Sequence, residues 1–279
     1  MDATAAPGNK TSHLAAMVDE KLGGRVIAVD RDPGRFKVLK KTLASACVAS
    51  KVQTRCTDFL QMRADKDKSL SDVDAILLDP SCSGSGTSLS RRDNLLDDRN
   101  QEEDAERLKR LATFQLAALK HALNYFPSCR RIVYSTCSIH PIENEGVVSK
   151  ALSLAHSRGY RLELPSESPL RSWPRRGERG HGLSDEDAAQ CLRVDAKEDQ
   201  TDGFFVAVLE RGASGDGGGG GGSSILNPAH PSEGTGAASR RQKRHRNQRN
   251  YIFRESMRTL QSFGIGGRSL KRIYTLVEH

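Results

Sequence analysis

The chain has 279 residues, 36% of them hydrophobic, enough for one large domain plus tails but with part of its length outside a packed core. No apolar run approaches the ~20 residues needed to span a bilayer and no secretory signal opens the chain, so a membrane partner is not expected. The net charge of +8 is uneven. Residues 240–279 hold 11 Lys and Arg against Glu255 and Glu278, a balance of +9, while residues 1–239 hold 32 bases and 33 acids, a balance of −1.

The opening stretch, DATAAPGNKTSHLAAM, reads as a loop leading into a helix that starts near Asn9 or Thr11. In a parallel α/β domain such a loop follows the first strand. None precedes it here, so that strand is expected to be missing or supplied otherwise. Arg25–Asp30 (RVIAVD) reads as a strand, and Pro33–Ala46 as a helix with Phe36, Leu39 and Leu43 at helical spacing. Val52–Cys56 is a weak strand and Val73–Asp79 a strong one. Gln101–Phe126 is a long helix carrying Leu108, Leu111, Leu116, Leu119 and Leu123. Arg131–Ser135 is a strand, Asn144–Ala155 a helix and Gly203–Leu209 a late strand. This alternation predicts an α/β domain, residues 1–211, with a mainly parallel sheet. Residues 212–239, with six consecutive glycines at 217–222, read as a flexible linker. Residues 240–279 form a basic tail, which suits a polyanion partner or an import signal.

The six cysteines, at 47, 56, 82, 129, 137 and 191, form no C-x-x-C pair and no zinc-finger spacing. Reduced thiols and no metal site are expected. Four stretches carry polar chemistry. The first is Thr4-Ala5-Ala6-Pro7-Gly8-Asn9-Lys10, whose small residues at a helix start let a ligand approach the backbone N–H groups. It matches neither the Walker phosphate loop nor G-x-G-x-x-G. The second is a pair of strand-end acids, Asp30 and Asp58. An acid at such an end is placed for ribose hydroxyls, although each alone is more often a turn or cap residue. The third, LLDPSCSGSG, ends a buried strand with Asp79 and Cys82. The fourth, RIVYSTCSIH, ends another with Cys137. One buried free cysteine is ordinary. Two at neighbouring strand ends, beside acids, are not explained by packing.

Two thiols and a carboxylate beside a nucleoside pocket suit one reaction. Cytosine carbon 5 is a poor nucleophile until a thiolate adds at carbon 6. A carboxyl group at ring nitrogen 3 and the exocyclic amine stabilises the adduct, and a second group assists proton loss and thiol release. Such covalent catalysis divides one hard step into easier ones, and it requires an ionised thiol.

In order, DATAAPGNKT, RVIAVDRD, CTDF, LLDPSCSGSG and VYSTCSIHPIENE resemble the motifs of the Sun (RsmB/NOP) family of RNA cytosine-5 methyltransferases, closest to the branch acting on large-subunit ribosomal RNA. The resemblance spans roughly residues 2–211. It implies a Rossmann-like, mostly parallel methyltransferase sheet and S-adenosyl-L-methionine as cofactor. It implies cofactor contacts at Thr4 to Lys10 (Ala5, Ala6, Pro7, Gly8 and Asn9 included), Asp30, Asp58 and Asp79. It also implies Cys137 as nucleophile, Asp79 on cytosine and Cys82 in product release. Ribosomal RNA is the implied partner, the nucleus and nucleolus the implied location, and a monomer the implied state. The family usually has a cysteine at Thr4 and a glycine at Asn9, and it carries a strand and an RNA-binding region ahead of Asp2. A non-enzymatic alternative follows from that departure, in which a truncated chain serves as an RNA-binding or ribosome-assembly factor.

Overall fold

The computed structural model describes residues 1–19, 23–87, 101–164 and 168–212. The linker and basic tail expected beyond residue 212 lie outside the described residues. Among the described residues there are seven strands: β1 (Val26–Asp30), β2 (Val52–Cys56), β3 (Ala75–Leu78), β4 (Arg131–Thr136), β5 (Tyr160–Leu162), β6 (Leu192–Val194) and β7 (Phe204–Arg211). β1 pairs in parallel with β2, and β3 in parallel with β4. β7 runs antiparallel to β4 on one edge, and to β5 and β6 on the other.

Met1–Ala3 join the two halves of the sheet. The Asp2 N–H donates to the Ile27 carbonyl at 2.8 Å, and the Asp2 carbonyl accepts from Val29 N–H at 2.9 Å. On the other side Ala3 N–H donates to Leu77 O at 3.0 Å, and Leu77 N–H to Met1 O at 2.8 Å. The order is therefore β2-β1-(Met1–Ala3)-β3-β4-β7, with β5 and β6 beyond. The slot expected to lack its first strand holds only these three residues, parallel to both neighbours.

Alternation along the strands sorts the core. Ile27, Val29, Ile76, Leu78, Ile132, Tyr134, Phe205, Ala207 and Leu209 share one face. It is covered by α3 (Gln101–Tyr125) and α4 (Glu145–Ser157). In α3 the buried residues Ala112, Gln115, Ala118, Leu119, Ala122 and Leu123 form one stripe. Leu108, Leu111 and Leu116, expected on that stripe, are half-buried at its margin. On the opposite face Val26, Ala28 and Val52 pack against α1 (Asn9–Met17) and α2 (Pro33–Ser45), chiefly through Ala15, Leu39 and Leu43. Every residue of β1 is buried, as a strand covered on both faces requires. Leu39 is fully buried, and truncating it to Ala would cost ~2–5 kcal/mol. A third cluster of Leu164, Leu170, Leu192, Val206 and Val208 covers this same face at β7.

The helix ends follow local chemistry. α2 starts because the Asp32 carboxylate accepts Arg35 N–H and Pro33 presets the first turn. α1 has no side-chain cap, and its N-cap is Gly8 at φ 109°. The short helix α5 (Asp185–Gln190) is capped by Ser184.

Candidate active site

The carboxyl ends of the parallel strands lie along one edge, where ligands bind in doubly wound sheets. The Thr4–Lys10 turn crosses that edge between β1 and β3. Its Thr4 hydroxyl accepts Asp79 N–H at 3.0 Å. Its Ala6 N–H donates to Asp30 Oδ2 at 3.1 Å, and the Ala6–Pro7 bond is cis. Gly8 needs its glycine: the backbone is left-handed there, and a Cβ would stand 3.0 Å from Leu39 Cδ1.

Asp79 follows β3 and is held from three sides. Lys10 Nζ lies 2.6 Å from its Oδ2, the Ser135 hydroxyl donates to its Oδ1 at 2.8 Å, and Thr4 fixes its backbone. Cys82 and Cys137 stand close by, their Sγ atoms 3.1 Å apart. Their ionisation diverges. Cys137 is lowered from the ordinary thiol value, first by its hydrogen bond with Cys82 and further by the nearby Lys10 ammonium. Burial and Asp79 oppose that shift. Cys82 is pushed far up by the same hydrogen bond and by burial. Cys137 is therefore the more readily ionised sulfur of the pair and Cys82 the less.

Buried polar groups hold both cysteine turns. Glu143, fully buried, accepts Ser83 N–H at 3.0 Å and Gln115 Nε2 at 2.9 Å. Gln115 also donates to Ser81 O at 3.0 Å. Asn144 accepts the Thr136 hydroxyl at 2.5 Å and donates to Ser138 O at 2.8 Å. Glu145 takes Arg193 in a two-pronged pair at 2.7–2.8 Å, and Arg193 also donates to Ile139 O. Three consecutive residues, Glu143 to Glu145, therefore fix three loops. Backbone ties complete the assembly: Gly86 N–H donates to Cys137 O, and Gly203 N–H to Gly86 O, each at 2.9 Å. A Cβ on Gly86 would lie 2.5 Å from Gly203 O.

The expected site residues fall into two linked groups. Thr4, Lys10, Asp79, Cys82 and Cys137 form the first. The second centres on Asp30, which is 5% exposed and accepts Ala6 N–H and Asp32 N–H, with Arg35 at 3.6 Å. Arg35 joins the groups by donating to Ala6 O and the Ser81 hydroxyl. Asp58 lies one strand further out. It caps the turn Phe59–Gln61 through Leu60 N–H at 2.9 Å, so the local reading of this acid holds whatever else it contacts. Pro7 and Asn9 are exposed, while Ala5, Ala6 and Gly8 are buried. Sequence reasoning missed Ser135, Gln115, Glu143, Asn144, Arg35 and Arg193. Only Ser135 carried a local signal, two residues before Cys137 on the same strand face.

The residues present suit S-adenosylmethionine. The uncapped N–H groups opening α1 offer donors to a carboxylate, and Asp30 retains lone pairs for ribose hydroxyls. Among the described residues no group of three or more His, Cys, Asp or Glu is placed to hold a metal ion, and no helix is long and apolar enough to cross a membrane.

A mixed seven-strand sheet with a thiol pair and an aspartate at its ligand edge defines a Rossmann-like methyltransferase domain. The family model described as 16S rRNA methyltransferase RsmB/F matches residues 1–210, and the chain belongs to that family. The chain is 45% identical over 215 residues to the 25S rRNA (cytosine-C(5))-methyltransferase NSUN5 of Arabidopsis thaliana, covering 76% of this chain and 35% of that protein. It is 40% identical over 210 residues to the 25S rRNA (cytosine-C(5))-methyltransferase rcm1 of Schizosaccharomyces pombe, covering 75% and 44%. Among solved structures it resembles NSun6 from Pyrococcus horikoshii with SFG, with TM-score 0.50 and 28% identity, covering 75% of this chain and 47% of that one. The chain thus spans less than half the length of these relatives.

Proposed function

We propose that this chain is the catalytic domain of an RNA cytosine-5 methyltransferase that uses S-adenosylmethionine and acts on large-subunit ribosomal RNA. One observation carries the chemistry: the Cys82–Cys137 pair, 3.1 Å apart, beside an Asp79 held by Lys10 and Ser135. The names of the Arabidopsis and fission-yeast relatives support the substrate, and the SFG-bound neighbour, SFG being an S-adenosylmethionine analogue, supports the cofactor.

The residues divide the work. The Cys137 thiolate adds to cytosine carbon 6, forming a carbon–sulfur bond and sending the electron pair toward carbon 5. Asp79 accepts a hydrogen bond from the exocyclic amine at the ring-nitrogen-3 edge of the base, stabilising the adduct. Bound S-adenosylmethionine supplies an electrophilic methyl group to carbon 5. The carbon-5 proton passes to water, the electrons of that bond restore the carbon 5–carbon 6 double bond and expel the Cys137 thiolate, and Cys82 assists release by hydrogen-bonding to the departing sulfur. Thr4 to Lys10, Asp30 and Asp58 hold the cofactor. The target base reaches Cys137 by leaving its stack. The basic residues at 240–249 engage RNA phosphates or direct the chain to the nucleus and nucleolus, and the domain works as a monomer.

Cys137→Ser tests the reading. Methylation of large-subunit ribosomal RNA is expected to vanish while the variant still binds the cofactor. Retained methylation would overturn it.

A further inference from the structure

Phe204 is half-buried at the first position of β7, and none of the steps above uses it. Its place is specific. β4 and β7 pair up to Thr136 and Phe205, and Cys137 and Phe204 stand one step beyond on adjacent strands. Phe204 alternates with Phe205, which is buried on the helix α3 side, so its ring belongs to the face that carries Val206 and Val208. Ser135 pairs with Val206 and reaches Asp79 from that face.

Two further contacts tie the ring to the chemistry. Lys10 Nζ stands 5.1 Å from the Phe204 ring centroid, and the same ammonium is the 2.6 Å partner of Asp79. Gly203, the preceding residue, is bonded to Gly86, which is bonded to Cys137 O. One flank of the ring packs on the Leu164, Leu170 and Leu192 cluster. Packing accounts for that flank and leaves unexplained why an aromatic surface remains partly open beside the Lys10 ammonium and one step along the sheet from Cys137.

A pyrimidine drawn from its stack loses the contacts of both faces, and a flat apolar surface restores part of them. We propose that the Phe204 ring is the apolar wall of the base pocket, against which the flipped pyrimidine lies while Cys137 and Asp79 reach its edge. This rests on the reading that a cytosine enters the site. The ring fixes the base plane and keeps water from the Lys10–Asp79 pair. It recognises a planar base as such, and Asp79 adds the choice of cytosine.

Binding without a methyl donor separates this proposal from turnover. The full chain is titrated, at one fixed salt concentration, with a fluorescently labelled hexacytidylate and with an abasic hexaribonucleotide of the same charge. The wild type is expected to favour the cytosine oligomer about tenfold, the scale of one base–aromatic contact. Phe204→Leu and Phe204→Met, which nearly conserve volume, are expected to lose that preference while their affinity for the abasic oligomer stays put. Phe204→Tyr is expected to keep it. Thermal melts identify a variant that does not fold, and the other aliphatic variant then carries the comparison. An aliphatic variant that folds and keeps the preference overturns the wall, as does a wild type that shows none. A wild type that prefers cytosine but never methylates overturns the methyltransferase reading and leaves the wall in place.

Discussion

The Cys82 and Cys137 sulfurs approach to 3.1 Å although 55 residues separate them in the chain. Each closes a parallel strand of the same sheet, and each turn is pinned by its own buried side chain, Glu143 for the first and Asn144 for the second. The hydrogen bond between them drives their ionisation apart, lowering Cys137 and raising Cys82.

Removing the donor should therefore show in two ways. In Cys82→Ala the Cys137 thiolate loses its hydrogen bond, so its pKa should rise, by about a unit for a hydrogen bond of ~1.5 kcal/mol to a charged group. The pH midpoint of iodoacetamide labelling at Cys137, read by peptide mass spectrometry, checks this, and an unchanged midpoint would refute the assignment. The same variant, incubated with ribosomal RNA and S-adenosylmethionine, should accumulate a covalent RNA adduct on a denaturing gel. That band should vanish in Cys82→Ala/Cys137→Ala.

Asp2 offers a pH test of the sheet's central slot. Its side chain is buried, its Oδ2 accepts the Thr11 hydroxyl at 2.6 Å, and its Oδ1 has no partner. Burial raises its pKa from 3.8 to about 6. A carboxyl raised in the folded state favours folding while protonated, so its contribution is intact below about pH 4 and is lost as pH climbs through 6. The loss amounts to ~3 kcal/mol near neutrality. Asp2→Asn keeps an acceptor for Thr11 and sheds the charge. Its melting temperature should gain more over wild type at pH 8 than at pH 4.5. Equal gains at both pH values would sink the argument.

Glu143 should matter for positioning. Glu143→Ala strands Ser83 N–H and weakens the hold on Gln115, which at 1–3 kcal/mol per buried unpaired group predicts a loss of ~3 kcal/mol. Its effect on turnover should fall on product release, because the turn it loosens carries Cys82. Glu143→Gln retains an acceptor and should recover most of the stability and the release rate. Denaturant melts and single-turnover kinetics decide. Release rates equal to wild type in a folded Ala variant would remove Glu143 from the site.

The residues whose signal is local were readable from the chain. RVIAVD and AILL announce buried strands by continuous apolarity, and their ends were placed within two residues of those observed. Both thiols and Asp79 could be named because each ends such a run. β5 and β6 escaped because three residues hold no period, and both exist only through pairing with β7. Met1–Ala3 escaped because MDA has neither length nor apolar continuity, and its strand character comes from partners 25 and more residues away. Gln115 and Glu143 look like surface residues of a helix and a turn. Their burial is decided by the meeting of α3 with the cysteine loop, which no window of sequence contains.

The clasp of Cys137, Gly86 and Gly203 has a consequence for how the protein is born. Gly86 uses both its N–H and its C=O to bind neighbours, and the second of these lies 117 residues further along the chain. Synthesis proceeds from the N-terminus, so a nascent chain carries both thiols long before residue 203 emerges. β7 lies antiparallel between β4 and β5, a non-local pairing. Of the described strands β7 is the last to be synthesised, so the Gly203 tie to Gly86 can form only after both cysteine turns have emerged.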